Sequence, residues 1–189
     1  MNSILFHIRV YISSYDISIY TEKDYIMKIY LDMDGVIANF EKRYIELFRE
    51  APNACHRDRK EFSANWKIFI AGKHFEDLDW WPGGPQLIDY LAKNRLDVEI
   101  LSSSGGNKYH DMVVLQKKKW IETFNLPETW PVNIVAGRKK KAEYATPDSI
   151  LIDDTQDVIE AFREAGGIGI HHKDVGNTIM LLDIYLNRA

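Results

Sequence analysis

The chain has 189 residues, 46% hydrophobic and 28% charged, a composition that fits one globular domain with at most a small appended lobe. Its 24 Lys and Arg against 28 Asp and Glu leave a formal net charge of -4, which argues against broad non-specific binding to nucleic acid. The single cysteine, Cys55, excludes an intrachain disulfide and a cysteine-built zinc site; it reads as a small buried or half-buried thiol in a reducing, cytoplasmic setting.

The first 26 residues lack the basic start, apolar stretch and small-residue cleavage site of a signal peptide. No apolar run approaches the roughly 20 residues that a membrane span needs. Because Met27 stands just before the strand-like "KIYL", residues 1–26 are expected to be an extension outside the core, as from an upstream start codon. The strand-like composition of "ILFHIRVYI" and "ISIY" leaves an edge hairpin as the alternative.

From Met27 onward, short β-rich runs alternate with segments of helical period. The runs are "KIYL", "DVEIL" (97–101), "VNIVA" (132–136), "SILI" (149–152) and "GIGI" (167–170), each short enough to be a strand buried on both faces. Between them Ile37, Phe40, Tyr44, Leu47 and Phe48 share one helical face; Tyr109, Met112, Val113, Trp120 and Phe124 outline another. A third carries Val158, Ile159, Phe162 and Ala165 and stops at Gly166-Gly167. The alternation predicts an α/β doubly wound parallel sheet with helices on both faces. Residues 41–82 break the rhythm: no strand, yet Trp66, Phe69, Phe75, Trp80 and Trp81. A structureless loop that long is uncommon, so the stretch is expected to fold as a small helical cap, with 27–40 and 83–189 forming the core. The basic triplet in "LQKKKW" (Lys117 to Lys119) reads as a solvated helix face.

Ligands of open α/β sheets sit beyond the carboxyl ends of the strands. There the chain places Asp32 and Asp34, then "SSSGG" (102–106), then "GRKKK" (137–141), then Asp153, Asp154 and Asp157. Two unit charges 4 Å apart repel by about 4 kcal/mol at an effective dielectric of 20, so such a cluster calls for a cation. Oxygen ligands without a matching His/Cys set favour Mg2+ over zinc, and a hydroxyl-glycine loop with a lysine suits a phosphoryl group. A calcium loop starting at Asp32 is disfavoured: it needs a glutamate at its twelfth position, where Arg43 stands.

These motifs, "DMDGV", a strand ending in "LSSS", a downstream lysine and "LIDDTQD", resemble in order the four motifs of the haloacid dehalogenase superfamily of phosphatases, over about residues 27–170. "DMDGVIANFE", "WWPGGPQLIDYL" and "LIDD" are most similar to the 5'(3')-deoxyribonucleotidases and their bacterial and phage relatives. The resemblance implies Asp32 as nucleophile forming an aspartyl phosphate, and Asp34 as the acid that protonates the leaving group and then activates water. It implies Ser102, helped by Ser103, on a phosphate oxygen, Lys141 neutralising phosphate and nucleophile, and Mg2+ held by Asp32, the carbonyl of Asp34, Asp153 and Asp154. Phe40 takes the position where those enzymes set an aromatic against the base, with Trp66, Phe75, Trp80 and Trp81 as further walls, though Phe40 equally fits the core. The chain departs from the animal enzymes in Ser102 for threonine, in Asn39 for aspartate, and in a longer spacing from the lysine to "DD", which leaves Lys140 open beside Lys141. His171-His172 reads as solvent-facing.

The expected activity is hydrolysis of (deoxy)nucleoside monophosphates. A sugar-phosphate or other small-metabolite phosphatase is the alternative within the fold, and a non-enzymatic phosphoryl-binding protein the alternative outside catalysis. The expected partner is a small phosphomonoester, with no nucleic-acid polymer and no membrane, and with homodimer formation left open.

Overall fold

A computed structural model describes residues 6–13, 16–23, 27–52 and 59–186, with side chains for 27–52 and 61–186. Cys55 and His56 lie outside the described residues.

β1 (Phe6–Ser13) and β2 (Asp16–Lys23) pair antiparallel, from Phe6 opposite Lys23 to Ser13 opposite Asp16. They form a sheet of their own, so the hairpin that the sequence allows is present but is no edge of the main sheet.

The main sheet has five parallel strands in the order β5-β4-β3-β6-β7. They are β3 (Lys28–Leu31), β4 (Asp97–Ser103), β5 (Val132–Val135), β6 (Ser149–Asp153) and β7 (Ile168–His171). Each of the five expected runs forms a strand, within one or two residues at its ends. β6, "SILID", is buried at every position, as an apolar run covered on both faces should be. The edge strand β5 is only half-buried throughout. In register, Leu31 of β3 lies between Ile100 of β4 and Ile152 of β6; β6 runs one residue past that level and β4 three, to Ser103.

Helices α1 (Phe40–Phe48), α2 (Arg59–Ala71), α3 (Gly84–Lys93), α4 (His110–Thr123), α5 (Gln156–Glu164) and α6 (Val175–Tyr185) complete the fold. The periodicity that starts a helix at Ile37 is corrected. The amides of Val36, Ile37 and Ala38 all bond back to the Met33 carbonyl in a tight turn, and α1 begins at Phe40 under an Asn39 cap whose side chain accepts from the Lys42 amide at 3.1 Å. Ile37 is buried all the same, whereas Leu47 and Met112 (46% exposed) face outward.

α2 and the turns after it pack against α4. Buried Gln116 donates to the Ile70 carbonyl at 2.8 Å and accepts from the Phe75 amide at 3.4 Å, and the Trp120 indole donates to the Leu78 carbonyl at 2.8 Å. Around this seam Tyr44, Phe69, Phe75 and Trp120 are fully buried in one core with Ile29, Leu31, Ile100 and Ile150. Phe62, Ser63 and Trp66 of α2 line one cavity with Asp32 and Asp34, which follow β3. Among the described residues no helix is long and apolar enough to cross a membrane.

Candidate active site

Asp32 is the first residue beyond β3, and its amide still bonds to the Ile152 carbonyl of β6 at 3.0 Å, so the ladder of the sheet aims its side chain. Asp34 follows two residues on, past a bend at Met33, and lines the same cavity as Asp32. Gly35 then turns the chain away at φ +74, a conformation that costs a side-chain-bearing residue about 1–2 kcal/mol.

Lys141 comes from the 3-10 helix Arg138–Tyr144, which Gly137 (φ +116) leads into two residues after β5. Three residues per turn put Arg138 and Lys141 on one side, and both line the same cavity. Lys141 is 2% exposed, and its Nζ lies 2.8 Å from Asp32 Oδ2 and 2.6 Å from Asp153 Oδ2. Lys140, the alternative, points to solvent.

Asp153 closes β6, fully buried, and accepts from the Thr155 amide at 2.9 Å. Asp154 is open on its outer side and shares a hydrogen bond with Thr155 Oγ1 at 3.0 Å. Asp32, Asp153 and Asp154 each offer an oxygen within 4.8 Å of the others.

Ser102 is buried in β4, and Ser103 Oγ accepts from the Gly105 amide at 3.1 Å, which curls the loop toward the acids. Ser104, not singled out in the sequence, is buried and hydrogen-bonded with His110 Nδ1 at 2.8 Å, bracing the same loop.

The expected residues thus converge, and one unexpected residue joins them. Lys117 is not on a solvated face. It is 1% exposed, and its Nζ donates to Asp34 Oδ2 at 2.6 Å and to Ser102 Oγ at 2.8 Å, 5.0 Å from the centroid of the Phe75 ring. Lys118 and Lys119 do face solvent. A signal was present: Lys117 falls between buried Val113 and Trp120 at spacings of four and three, on the apolar stripe of α4.

The electrostatics follow from these contacts. Burial disfavours charge on Asp32, but the ammonium groups of Lys141 and Lys117 outweigh it and hold its carboxyl below the ordinary range. Burial tends to strip the proton from Lys141, yet Asp32 and Asp153 keep it charged well above the usual lysine range. Burial, and then repulsion from Asp32, outweigh the nearby lysines and push the carboxyls of Asp34 and Asp153 up. Desolvation at the floor of the crevice, and then repulsion from Asp32 and Asp153, push Asp154 up to about 7. Asp32 Oδ1 and Asp34 Oδ1 are buried with no hydrogen-bond partner.

Beside the acids opens a cavity of about 530 Å³ lined by Phe40, Phe62, Trp66 and Trp81 and also by Glu41, Ser63 and Arg138. Phe62 was not anticipated. Two expected wall residues stand elsewhere: Phe75 is buried behind Phe40, stacked at 5.8 Å, and Trp80 packs on Trp120 and Phe124 of the α4 region. Phe40 serves both readings, lining the cavity and packing on the core. Of the histidine pair, His172 is not solvent-facing: it is buried and bonds with Thr178 at 2.8 Å, while half-exposed His171 bonds through Nε2 with the Asp154 carbonyl at 2.8 Å. His74 lies half-buried against Phe69, outside the cavity.

No protein-family model and no curated protein matches the sequence. Solved structures do. A hydrolase from Streptococcus pneumoniae TIGR4 superposes with a TM-score of 0.51 at 14% identity, over 84% of this chain and 98% of that one. A hydrolase from Pseudomonas syringae has a TM-score of 0.48 at 15% identity (81% and 89% covered). A HAD family hydrolase from Deinococcus radiodurans R1, with bound phosphate and sodium, has 0.48 at 12% (83% and 88%). The first likeness shows a shared fold, the five-stranded parallel α/β architecture expected from the alternation of strands and helices.

Proposed function

We propose that the chain is a Mg2+-dependent phosphomonoesterase of haloacid dehalogenase type that hydrolyses (deoxy)nucleoside monophosphates to nucleoside and phosphate. The reading rests on the first acidic pair. Asp32 and Asp34 each have one oxygen held by a buried lysine and the other buried without a partner, beside a cavity large enough for a small phosphomonoester.

Four carboxylates, Asp32, Asp34, Asp153 and Asp154, face two ammonium groups, Lys117 and Lys141, which leaves two negative charges uncompensated among them when all are ionised. An all-oxygen set formed by Asp32, Asp153 and Asp154, with the Asp34 carbonyl in support, fits a hard divalent cation. When bound, Mg2+ supplies charge neutralisation at the phosphoryl group.

The chain's own groups carry the rest. Oδ1 of Asp32 attacks phosphorus, the bond to the leaving oxygen breaks, and Asp34 gives that oxygen its proton. Asp34 then takes a proton from the water that attacks the aspartyl phosphate, and the P–O bond to Asp32 breaks. Ser102 and the Ser103 amide hold phosphoryl oxygens, and Lys141 offsets their charge. The π faces of Phe40, Phe62, Trp66 and Trp81 support a base as the leaving group's far end, each stack being worth about 1–3 kcal/mol. Glu41, Ser63 and Arg138, which line the same cavity, favour a sugar phosphate as the second reading.

Phosphate release from a panel of nucleotides and sugar phosphates, with and without EDTA, tests this. The expected result is EDTA-sensitive turnover, fastest on nucleoside monophosphates and abolished in Asp32→Asn. Phosphate-ester binding without turnover of any substrate overturns the enzyme reading, and turnover undiminished in Asp32→Asn overturns the nucleophile.

A further inference from the structure

Lys117 stands outside the four motifs that the site otherwise follows, yet it makes two of the site's shortest polar contacts. An ammonium in so dry a place is costly to bury unless its donors are satisfied. Here the two acceptors are Asp34 Oδ2 at 2.6 Å and Ser102 Oγ at 2.8 Å, and the face of Phe75 covers the ammonium at 5.0 Å from the ring centroid. The neighbouring Gln116 fixes Phe75 by accepting from its amide and fixes α2 through the Ile70 carbonyl. The ammonium is therefore held from α4, from β4 and from the segment above the site at once.

Two consequences follow for its acceptors. With Oδ2 of Asp34 taken by a charged donor, the one oxygen left is Oδ1, which is buried and has no partner. With a lone pair of Ser102 Oγ accepting from Lys117, the Ser102 hydroxyl keeps its one proton to give to a phosphoryl oxygen. Lys117 thus sets the direction of both groups that flank the nucleophile.

We infer that Lys117 is a positioning residue that holds the Asp34 carboxyl in the orientation from which it gives the departing oxygen its proton. The inference rests on the phosphatase reading above. It makes a demand that neither phosphate binding nor fold stability makes: the effect of losing Lys117 must depend on how much the leaving group needs a proton. A nucleoside alkoxide needs one as its bond to phosphorus breaks. A 4-nitrophenolate leaves without one.

The test compares kcat/KM, which reports the steps up to departure of the leaving group, for a nucleoside monophosphate and for 4-nitrophenyl phosphate. Wild type and Lys117→Met are assayed, each with its melting curve. General acid catalysis is worth about 10²–10⁴-fold, so Lys117→Met is expected to lose at least about 100-fold on the nucleotide, and less than a tenth of that loss on the aryl ester. In an Asp34→Asn background the same substitution is expected to leave the ratio between the two substrates unmoved, because the donor that it positions is gone. Lys117→Arg keeps the charge but not the reach, and should give the same selective loss in smaller measure; it carries the test if the methionine variant does not fold. Equal losses on both substrates, or a rise in KM alone, overturn the inference while leaving the phosphatase reading intact. Turnover of neither substrate by the wild type overturns both.

Discussion

Gly35→Ala tests the geometry of the acidic cluster through binding rather than rate. The ideal Cβ at Gly35 falls 2.5 Å from Asp154 Cγ and closer still to Oδ2. Carbon atoms in ordinary contact stand about 3.5–4.0 Å apart, so the Asp154 carboxylate has to retreat by roughly 1 Å. It is a side chain with open space on its outer side, so it can do so cheaply. Mg2+ is intolerant of such a shift, since it demands near-ideal octahedral geometry with oxygens at about 2.0–2.1 Å. The backbone adds its own penalty, because φ is +74 there and a left-handed alanine costs about 1–2 kcal/mol. For a chain of this size 1 kcal/mol moves Tm by about 2–4 °C, so the metal-free variant is expected to melt about 2–8 °C lower. The sharper readout is the metal increment. A ligand at 100 times its Kd stabilises the folded state by about 2.7 kcal/mol, and that increment, read as the rise of Tm with added Mg2+, is expected in the wild type and absent or displaced to much higher Mg2+ in Gly35→Ala. A variant that melts lower but keeps the wild-type Mg2+ response refutes the placement of Asp154 as a ligand braced by Gly35.

Trp66 lines the cavity and stands over the phosphate-side loop, where a Cβ at Gly105 would come within 2.9 Å of its ring. Trp66→Ala is expected to cost about 1–3 kcal/mol in kcat/KM on nucleoside monophosphates and little on small sugar phosphates; equal losses on both remove the base from the reading. His172 supplies a pH test of stability. Burial holds its imidazole below the ordinary histidine range, with its Nε2 buried and unpartnered, so the fold keeps it neutral. The stability it contributes is complete above the unfolded value of about 6.5 and is lost as pH falls from there through the depressed folded value. Asp154, raised to about 7, gives the opposite slope. The readout is therefore the difference between urea-unfolding profiles of wild type and His172→Gln, which should grow as pH rises from 5 to 7; a difference independent of pH contradicts the neutral, buried assignment.

Much of the site is written where strands stop. Asp32, Ser102 and Asp153 could be placed because a short apolar run stops at each, and neighbouring parallel strands bring their carboxyl ends to the same edge of the sheet. Lys141 could be narrowed but not chosen over Lys140, because the choice depends on the three-residue period of a helix that no apolar pattern announces. The walls of the cavity were harder. Between residues 41 and 82 aromatics are dense enough that composition alone does not tell Phe62, which lines the cavity, from Phe75, which lies behind it, or Trp80, which packs on α4. His172 was misread because its burial depends on Thr178, on a helix that follows it in sequence and folds back over β7.

Lys117 shows where two rules for reading a sequence compete. Three consecutive lysines read as solvated because charge usually seeks water, and two of the three obey. Helical phase says otherwise for the first, since Val113, Lys117 and Trp120 share the face turned to the core. Phase wins when a buried position offers an ammonium enough partners to replace water, and Asp34, Ser102 and the face of Phe75 do so here. Those partners come from a loop, a strand and the segment above the site, so their sum is visible only once the chain is folded. The lysine in turn relieves part of the repulsion between Asp32 and Asp34. The pair that makes the opening motif conspicuous is therefore kept in place by a residue 83 positions further along the chain from Asp34.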